Sequence, residues 1–242
     1  MLLNTAHEIV EQILPYERDL FFLMNGSDNI FWDSFMWIYS NKLTWIPLAL
    51  VALGVLVYKI KWQYALWVVL CTALLFILCD QVSAGVIKTL FERYRPTHHP
   101  DFKDMVDIVN DYRGGRFGFV SAHAANGFGA AVFFSLLLKY RWLTVTLFTW
   151  ATITCYSRIY LGVHFISDVL GGMLLGAILG YIVYTIFQYG RVHFLRQSTR
   201  LSKLPFYSQE RGQILTFSIL SIILLIILVS ILNFIFGFRL LY

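Results

Sequence analysis

Apolar residues gather into six runs, over residues 43–58, 64–84, 122–138, 142–156, 165–188 and 214–236, with polar residues concentrated between them. A helix rises about 1.5 Å per residue and a bilayer core is about 30 Å thick, so a full crossing takes about 20 residues. Runs 64–84, 165–188 and 214–236 meet that length. The other three are short, 142–156 being the weakest, and interfacial residues must complete them. The pattern predicts an all-α polytopic membrane bundle of six transmembrane helices, forming one membrane domain over residues 1–242. Residues 1–40 are patterned differently. Phe31, Trp32, Phe35, Met36 and Tyr39 recur at three- and four-residue spacing, while Asp28 and Asp33 interrupt them. This predicts a helix lying in the membrane interface, or equally an ordinary packing helix.

Composition agrees with the pattern. The chain is 58% hydrophobic and 14% charged, whereas a soluble domain carries roughly 25% charged residues. The excess apolar surface must face something other than water. Cys71, Cys79 and Cys155 all lie in apolar runs and read as buried thiols, not as a disulfide framework or a zinc site. The first residues lack a basic stretch before a short apolar core, so no cleavable signal peptide is expected. There is no internal repeat and no low-complexity tract.

Charge orients the spans. One set of loops carries Lys59, Lys61, Lys139, Arg141, Arg191, Arg196, Arg200, Lys203 and Arg211 against the single acid Glu210. The other side, with both termini, carries 10 of the 19 basic and 13 of the 14 acidic residues. Short loops rich in Lys and Arg stay in the cytoplasm. This places the nine-residue basic set inside, and the termini and opposite loops outside the inner membrane, facing the periplasm or exterior.

Three polar constellations fall on that outer side: Lys88 to Pro96, Val120 to Asn126, and Ser157 to Asp168. Their chemistry suits a phosphoryl group. Lys88, Arg95 and Arg158 supply fixed positive charge, and arginine binds phosphate oxygens bidentately. Ser121 offers a hydroxyl, and the N–H groups opening the third run at Ala122 point at an anion. His164 and Asp168 are four apart, which on a helix places them on one face. There a carboxylate can hold an imidazole in one tautomer. His123 is a candidate acid–base partner. Taken singly, each has a plainer reading: Lys88 and Arg95 as snorkelling anchors, His123 as a cap or packing residue, and His164 with Asp168 as a structural pair.

The loop over residues 97–119 joins the first two constellations. Gly114, Gly115 and Gly118 predict mobility there. Arg113 and Arg116 are candidates for a diphosphate or anionic headgroup, or simply for the solvated surface. His98 and His99 lack a spaced set of partner ligands, so no metal site is expected.

In order and in spacing, the three motifs resemble the signature of the type 2 phosphatidic acid phosphatases (PAP2). Here it reads Lys88 with Arg95 and Pro96, then Ser121 with His123, then Ser157 and Arg158 with His164 and Asp168. The resemblance covers about residues 80–190, and six spans is the family's usual form. It implies that His164 attacks phosphorus to form a phosphohistidine and that Asp168 orients and charges it. His123 would protonate the leaving oxygen and then activate water. Lys88, Arg95, Arg158, Ser121 and the N–H near Ala122 would hold the phosphoryl oxygens. No cofactor or metal is implied. Val120 and Ala122 depart from the family's usual Pro and Gly, which puts the tightness of that turn in question.

With the apolar spans, the resemblance implies a membrane lipid phosphatase acting on a lipid phosphate at the bilayer, and no nucleic-acid partner is expected. Undecaprenyl diphosphate is the first substrate expected. Lipid A, phosphatidylglycerophosphate and phosphatidic acid are alternatives within the family. Transfer of the phosphoryl group to another lipid, or a non-enzymatic membrane role, are alternatives of other classes. Haloperoxidases sharing this constellation fit poorly with the membrane spans.

Overall fold

The computed structural model describes residues 2–197 and 206–237, with side chains from His7 onward. Arg200, Lys203 and Arg239, counted in the charge balance, lie outside the described residues. The helices run in order α1 (Leu2–Glu11), α2 (Leu14–Met24), α3 (Ile30–Ser40) and α4 (Ile46–Val57). They continue with α5 (Trp62–Phe91), α6 (Ala122–Leu138), α7 (Arg141–Tyr160), α8 (Ile166–His193) and α9 (Gln209–Phe236). All six apolar runs are helical. By length and hydropathy α5, α8 and α9 can each cross a membrane unaided. A fourth crossing results if α3 and the helical stretch Lys42–Val57, bent by 65° to one another, count as one broken span.

Within residues 1–40, α3 packs into the bundle. Phe35, Met36 and Tyr39 of α3 are buried with Tyr160, Leu161, Val163 and Ile226, and the Tyr39 hydroxyl donates to the Trp150 carbonyl at 3.2 Å. An aromatic stripe at helical spacing reads the same against lipid or protein. Only the bend that turns α3 onto α7 and α9 decides between them.

The centre of the bundle is the α6–α8 pair. Gly172, Gly176 and Gly180 recur at four-residue spacing along α8. A Cβ at these positions would meet the backbone carbonyls of Ser121, Ala125 and Gly129, themselves four apart. Such small-residue seams let helix backbones approach closely where lipid provides no hydrophobic drive. The approach also fixes the site, because the Ser121 N–H donates to the Asp168 carbonyl at 2.9 Å.

Candidate active site

Local rules place each motif. α5 passes through a π-helical segment, Gln81–Ile87, and its last turn carries Lys88, half-buried. Glu92, in the left-handed region at φ 44°, ends it, and the chain returns through Arg93 and Arg95. Ser121 is the N-cap of α6, its hydroxyl accepting from the Ala124 N–H at 3.4 Å. Ala122 is the first helical residue, so the replacement of the family's usual glycine leaves a helical backbone there. The N–H groups of a first turn have no partner within their own helix. Arg158 lies on the last turn of α7 and His164 in the short link to α8.

His164 and Asp168 do meet, but not as neighbours on a helix face. α8 begins at Ile166, beyond His164. Asp168 sits in the first turn and reaches back, its Oδ2 accepting from the Phe165 N–H at 3.0 Å and lying 3.4 Å from His164 Nδ1. The pairing is thus a consequence of helix capping. His164 is 1% exposed, and the Gly118 carbonyl accepts a hydrogen bond from its ring. Burial first, and then the charges of Arg95, Arg158 and Lys88, hold the imidazole well below its ordinary range. It is therefore neutral and able to offer a lone pair.

The two arginines are buried, and their partners are neutral acceptors. Arg95 donates to the carbonyls of Phe117 at 3.0 Å and Val163 at 3.4 Å. Burial, then the nearby Arg158 charge, lowers its pKa. Arg158 donates to Ser40 and to the Tyr112 hydroxyl, and its Nε is buried with no acceptor among the described residues. His123 and Arg158 line a cavity of about 330 Å³ together with Trp37, Ser40, Lys42 and Tyr112. Lys42 also borders an apolar cleft of about 500 Å³ lined by Trp45, Ala52, Phe76, Phe134, Leu147 and Trp150.

The structure thus brings all three motifs to one end of the α6–α8 pair. Gly114 and Gly118 serve close approach: a Cβ on Gly114 would lie 2.6 Å from Arg95, and one on Gly118 2.8 Å from Asp168 Oδ2. Arg116 donates to the Tyr94 hydroxyl and Arg113 to the Thr97 carbonyl, and neither lines the cavity of His123 and Arg158. His98 bonds Thr97, while His99 stacks on Phe102 and faces Glu11. Among the described residues no cluster of three or more His, Cys, Asp or Glu side chains is arranged for a metal ion.

Sequence reasoning missed several residues that touch the site: Ser40, Lys42 and Tyr112 at the cavity, and Arg93, which donates to Asp168 Oδ1 at 2.8 Å. Ser40, Lys42 and Tyr112 lie outside the three motifs. Arg93 lies inside the first, where the sequence pattern singles out only Lys88, Arg95 and Pro96.

Residues 64–191 match the PAP2 superfamily. The chain is 36% identical over 221 residues to a lipid A 4'-phosphatase of Porphyromonas gingivalis, covering 91% of this chain and 94% of that one. It is 36% identical over 179 residues to a lipid A 4'-phosphatase of Bacteroides thetaiotaomicron, covering 74% and 80%. The crystal structure of a transmembrane PAP2-type phosphatidylglycerolphosphate phosphatase from Bacillus subtilis shares the fold, with a TM-score of 0.57 and 23% identity over 78% of this chain and 91% of that one. With this match over more than half its length and a membrane-type helical fold around the motifs, the chain belongs to the PAP2 superfamily and is a phosphatase.

Proposed function

We propose that the chain hydrolyses the phosphate monoester of a glucosamine-based lipid of the lipid A class through a phosphohistidine at His164. The observation that carries the chemistry is the setting of His164, an imidazole against Asp168 whose proton affinity is lowered by burial and by the charges of Arg95, Arg158 and Lys88. Nδ1 is turned to Asp168, which leaves Nε2 for attack. As the N–P bond forms, the ester P–O bond breaks, and His123 gives its proton to the departing oxygen. In the second half His123 takes a proton from water, the water oxygen attacks phosphorus, and the N–P bond breaks to release inorganic phosphate. Arg95 and Arg158 exchange neutral acceptors for phosphoryl oxygens, forming charge-assisted bonds that strengthen as charge develops. Lys88, Ser121 and the Ala122 N–H complete the cradle.

The substrate class is supported by the two lipid A 4'-phosphatases, matched over most of their length. They move the reading away from undecaprenyl diphosphate, the first expectation from sequence. The apolar cleft sharing Lys42 with the polar cavity supports a substrate with a long tail. We read the chain as a single membrane domain of six spans in the inner membrane, α4 and α6 to α7 crossing alongside the three long helices, with the site facing outward. The basic loops support that orientation.

The test is purified protein in detergent, with and without EDTA, assayed against lipid A, undecaprenyl diphosphate, phosphatidylglycerophosphate and phosphatidic acid. The expected result is metal-independent phosphate release, fastest from lipid A and assigned to the lost position by mass spectrometry. Preference for undecaprenyl diphosphate would overturn the substrate. Transfer of phosphate to an added lipid acceptor in place of water would overturn hydrolysis.

A further inference from the structure

Glu17 is nearly buried although it belongs to α2, in the N-terminal segment outside the 64–191 family match. Its Oε1 accepts from Arg93 Nη2 at 2.6 Å and from the Ser167 hydroxyl at 2.7 Å, and its Oε2 accepts from the Ser167 N–H at 2.7 Å. Arg93 is fully buried, and its Nη1 donates to Ser167 Oγ at 2.6 Å and to Asp168 Oδ1 at 2.8 Å. The guanidinium face lies 4.6 Å from the Phe165 ring centroid.

A guanidinium is planar, with its donors in a fixed fork, so holding one Nη sets the direction of the other. Glu17 therefore aims the donor that Asp168 receives. It also binds both the backbone and the side chain of Ser167, the residue before Asp168 in the first turn of α8. Glu17 thus bonds both the turn that carries Asp168 and the cation that neutralises it, while Glu11 Oε1 stands 3.7 Å from Arg93 Nε without a hydrogen bond. With Oδ1 held by Arg93, Oδ2 is left to the Phe165 N–H and His164.

We propose that Glu17, acting through Arg93 and Ser167, is a positioning residue that aims the Asp168 carboxylate at His164. This rests on the reading of Asp168 as partner of the nucleophile. A merely structural role would tie α2 to α8, and buried ion pairs contribute little to stability over apolar packing. A positioning role makes a sharper demand, that the effect of Glu17 pass through Asp168.

The experiment is a double-mutant cycle on purified, monodisperse protein, reading kcat and KM. Glu17→Ala is expected to lower kcat about tenfold or more, the scale seen for partners that orient a functional histidine, with KM little changed. Glu17→Gln, which keeps an acceptor for Arg93, should recover part of the loss. In an Asp168→Asn background the loss from Glu17→Ala should shrink to within about twofold, because contributions that act as one unit are not additive. If Glu17→Ala does not fold, Glu17→Gln replaces it in the same cycle. An equal loss in both backgrounds, or unchanged kcat in the wild-type background, overturns the inference while leaving the site intact. Unchanged kcat in Asp168→Asn alone would instead overturn the site reading on which it rests.

Discussion

Asp168 Oδ2 stands 3.4 Å from His164 Nδ1 because Asp168 caps the helix that His164 precedes. A capping carboxylate is held in place by backbone geometry before any substrate arrives. That arrangement leads to the first expectation. His164→Ala should abolish turnover, and Asp168→Asn should lower kcat by about 10² to 10⁴, in line with loss of an orienting carboxylate behind an imidazole. A labelled phosphoenzyme, labile to acid and stable to base, should be trapped in wild-type protein and be missing in His164→Ala. Normal activity in His164→Ala would remove it as nucleophile.

His123 lines the cavity with Arg158 and sits in the first turn of α6, away from the link that carries His164. His123→Ala should slow hydrolysis of an alkyl phosphate by about 10² or more. An ester with an activated leaving group should suffer much less, because its leaving oxygen needs little protonation. Equal losses on both substrates would exclude the general-acid role.

Gly118 lies against the reacting pair. A Cβ there would meet Asp168 Oδ2 at 2.8 Å and Arg95 Cγ at 3.3 Å. Gly118→Ala should therefore lower kcat at least tenfold by displacing the carboxylate, about 1.4 kcal/mol of lost transition-state stabilisation. The open neighbour Gly115, where a Cβ meets nothing within 4 Å, provides the control, and Gly115→Ala should leave kcat unchanged.

pH dependence follows from the depressed pKa of His164, caused by burial and then by Arg95, Arg158 and Lys88. A free imidazole protonates near about 6.5, so the folded His164 stays neutral below that pH and activity should persist there. Arg95→Gln removes one of the charges and should move the acid limb of kcat/KM to higher pH. For stability, the unfolded chain takes up this proton first. The group therefore costs no stability above about pH 6.5 and subtracts it progressively below, down to the folded value. His164→Gln should flatten that part of the stability profile in a thermal-shift series.

Orientation is checked by impermeant thiol labelling in intact cells. Cys71, Cys79 and Cys155 are buried and are removed from the background. The exposed Lys103 serves as reporter for the site side and the exposed Lys61 for the basic side. Lys103→Cys should react and Lys61→Cys should be protected. The reverse would place the phosphatase site in the cytoplasm.

The sequence by itself determined the helical membrane class, the family and the residues of the three motifs, because hydropathy period and motif spacing are local properties of the chain. The buried thiols of Cys71, Cys79 and Cys155 were equally legible. The seam of Gly172, Gly176 and Gly180 was present as a four-residue repeat of small side chains, but its partner helix was not written in it. Tertiary structure alone decided that α3 packs into the bundle, that Gly114 and Gly118 stand close against Arg95 and Asp168, and that Arg113 and Arg116 stay off the cavity. It also decided that His164 lies ahead of α8 and meets Asp168 through a cap, since four-residue spacing is compatible with either geometry. The largest gap was the ring around Asp168. Glu17 and Arg93 are 76 residues apart and Arg93 and Asp168 are 75 apart. No local pattern encodes which buried charges will neutralise each other, because that depends on which helices the fold brings together.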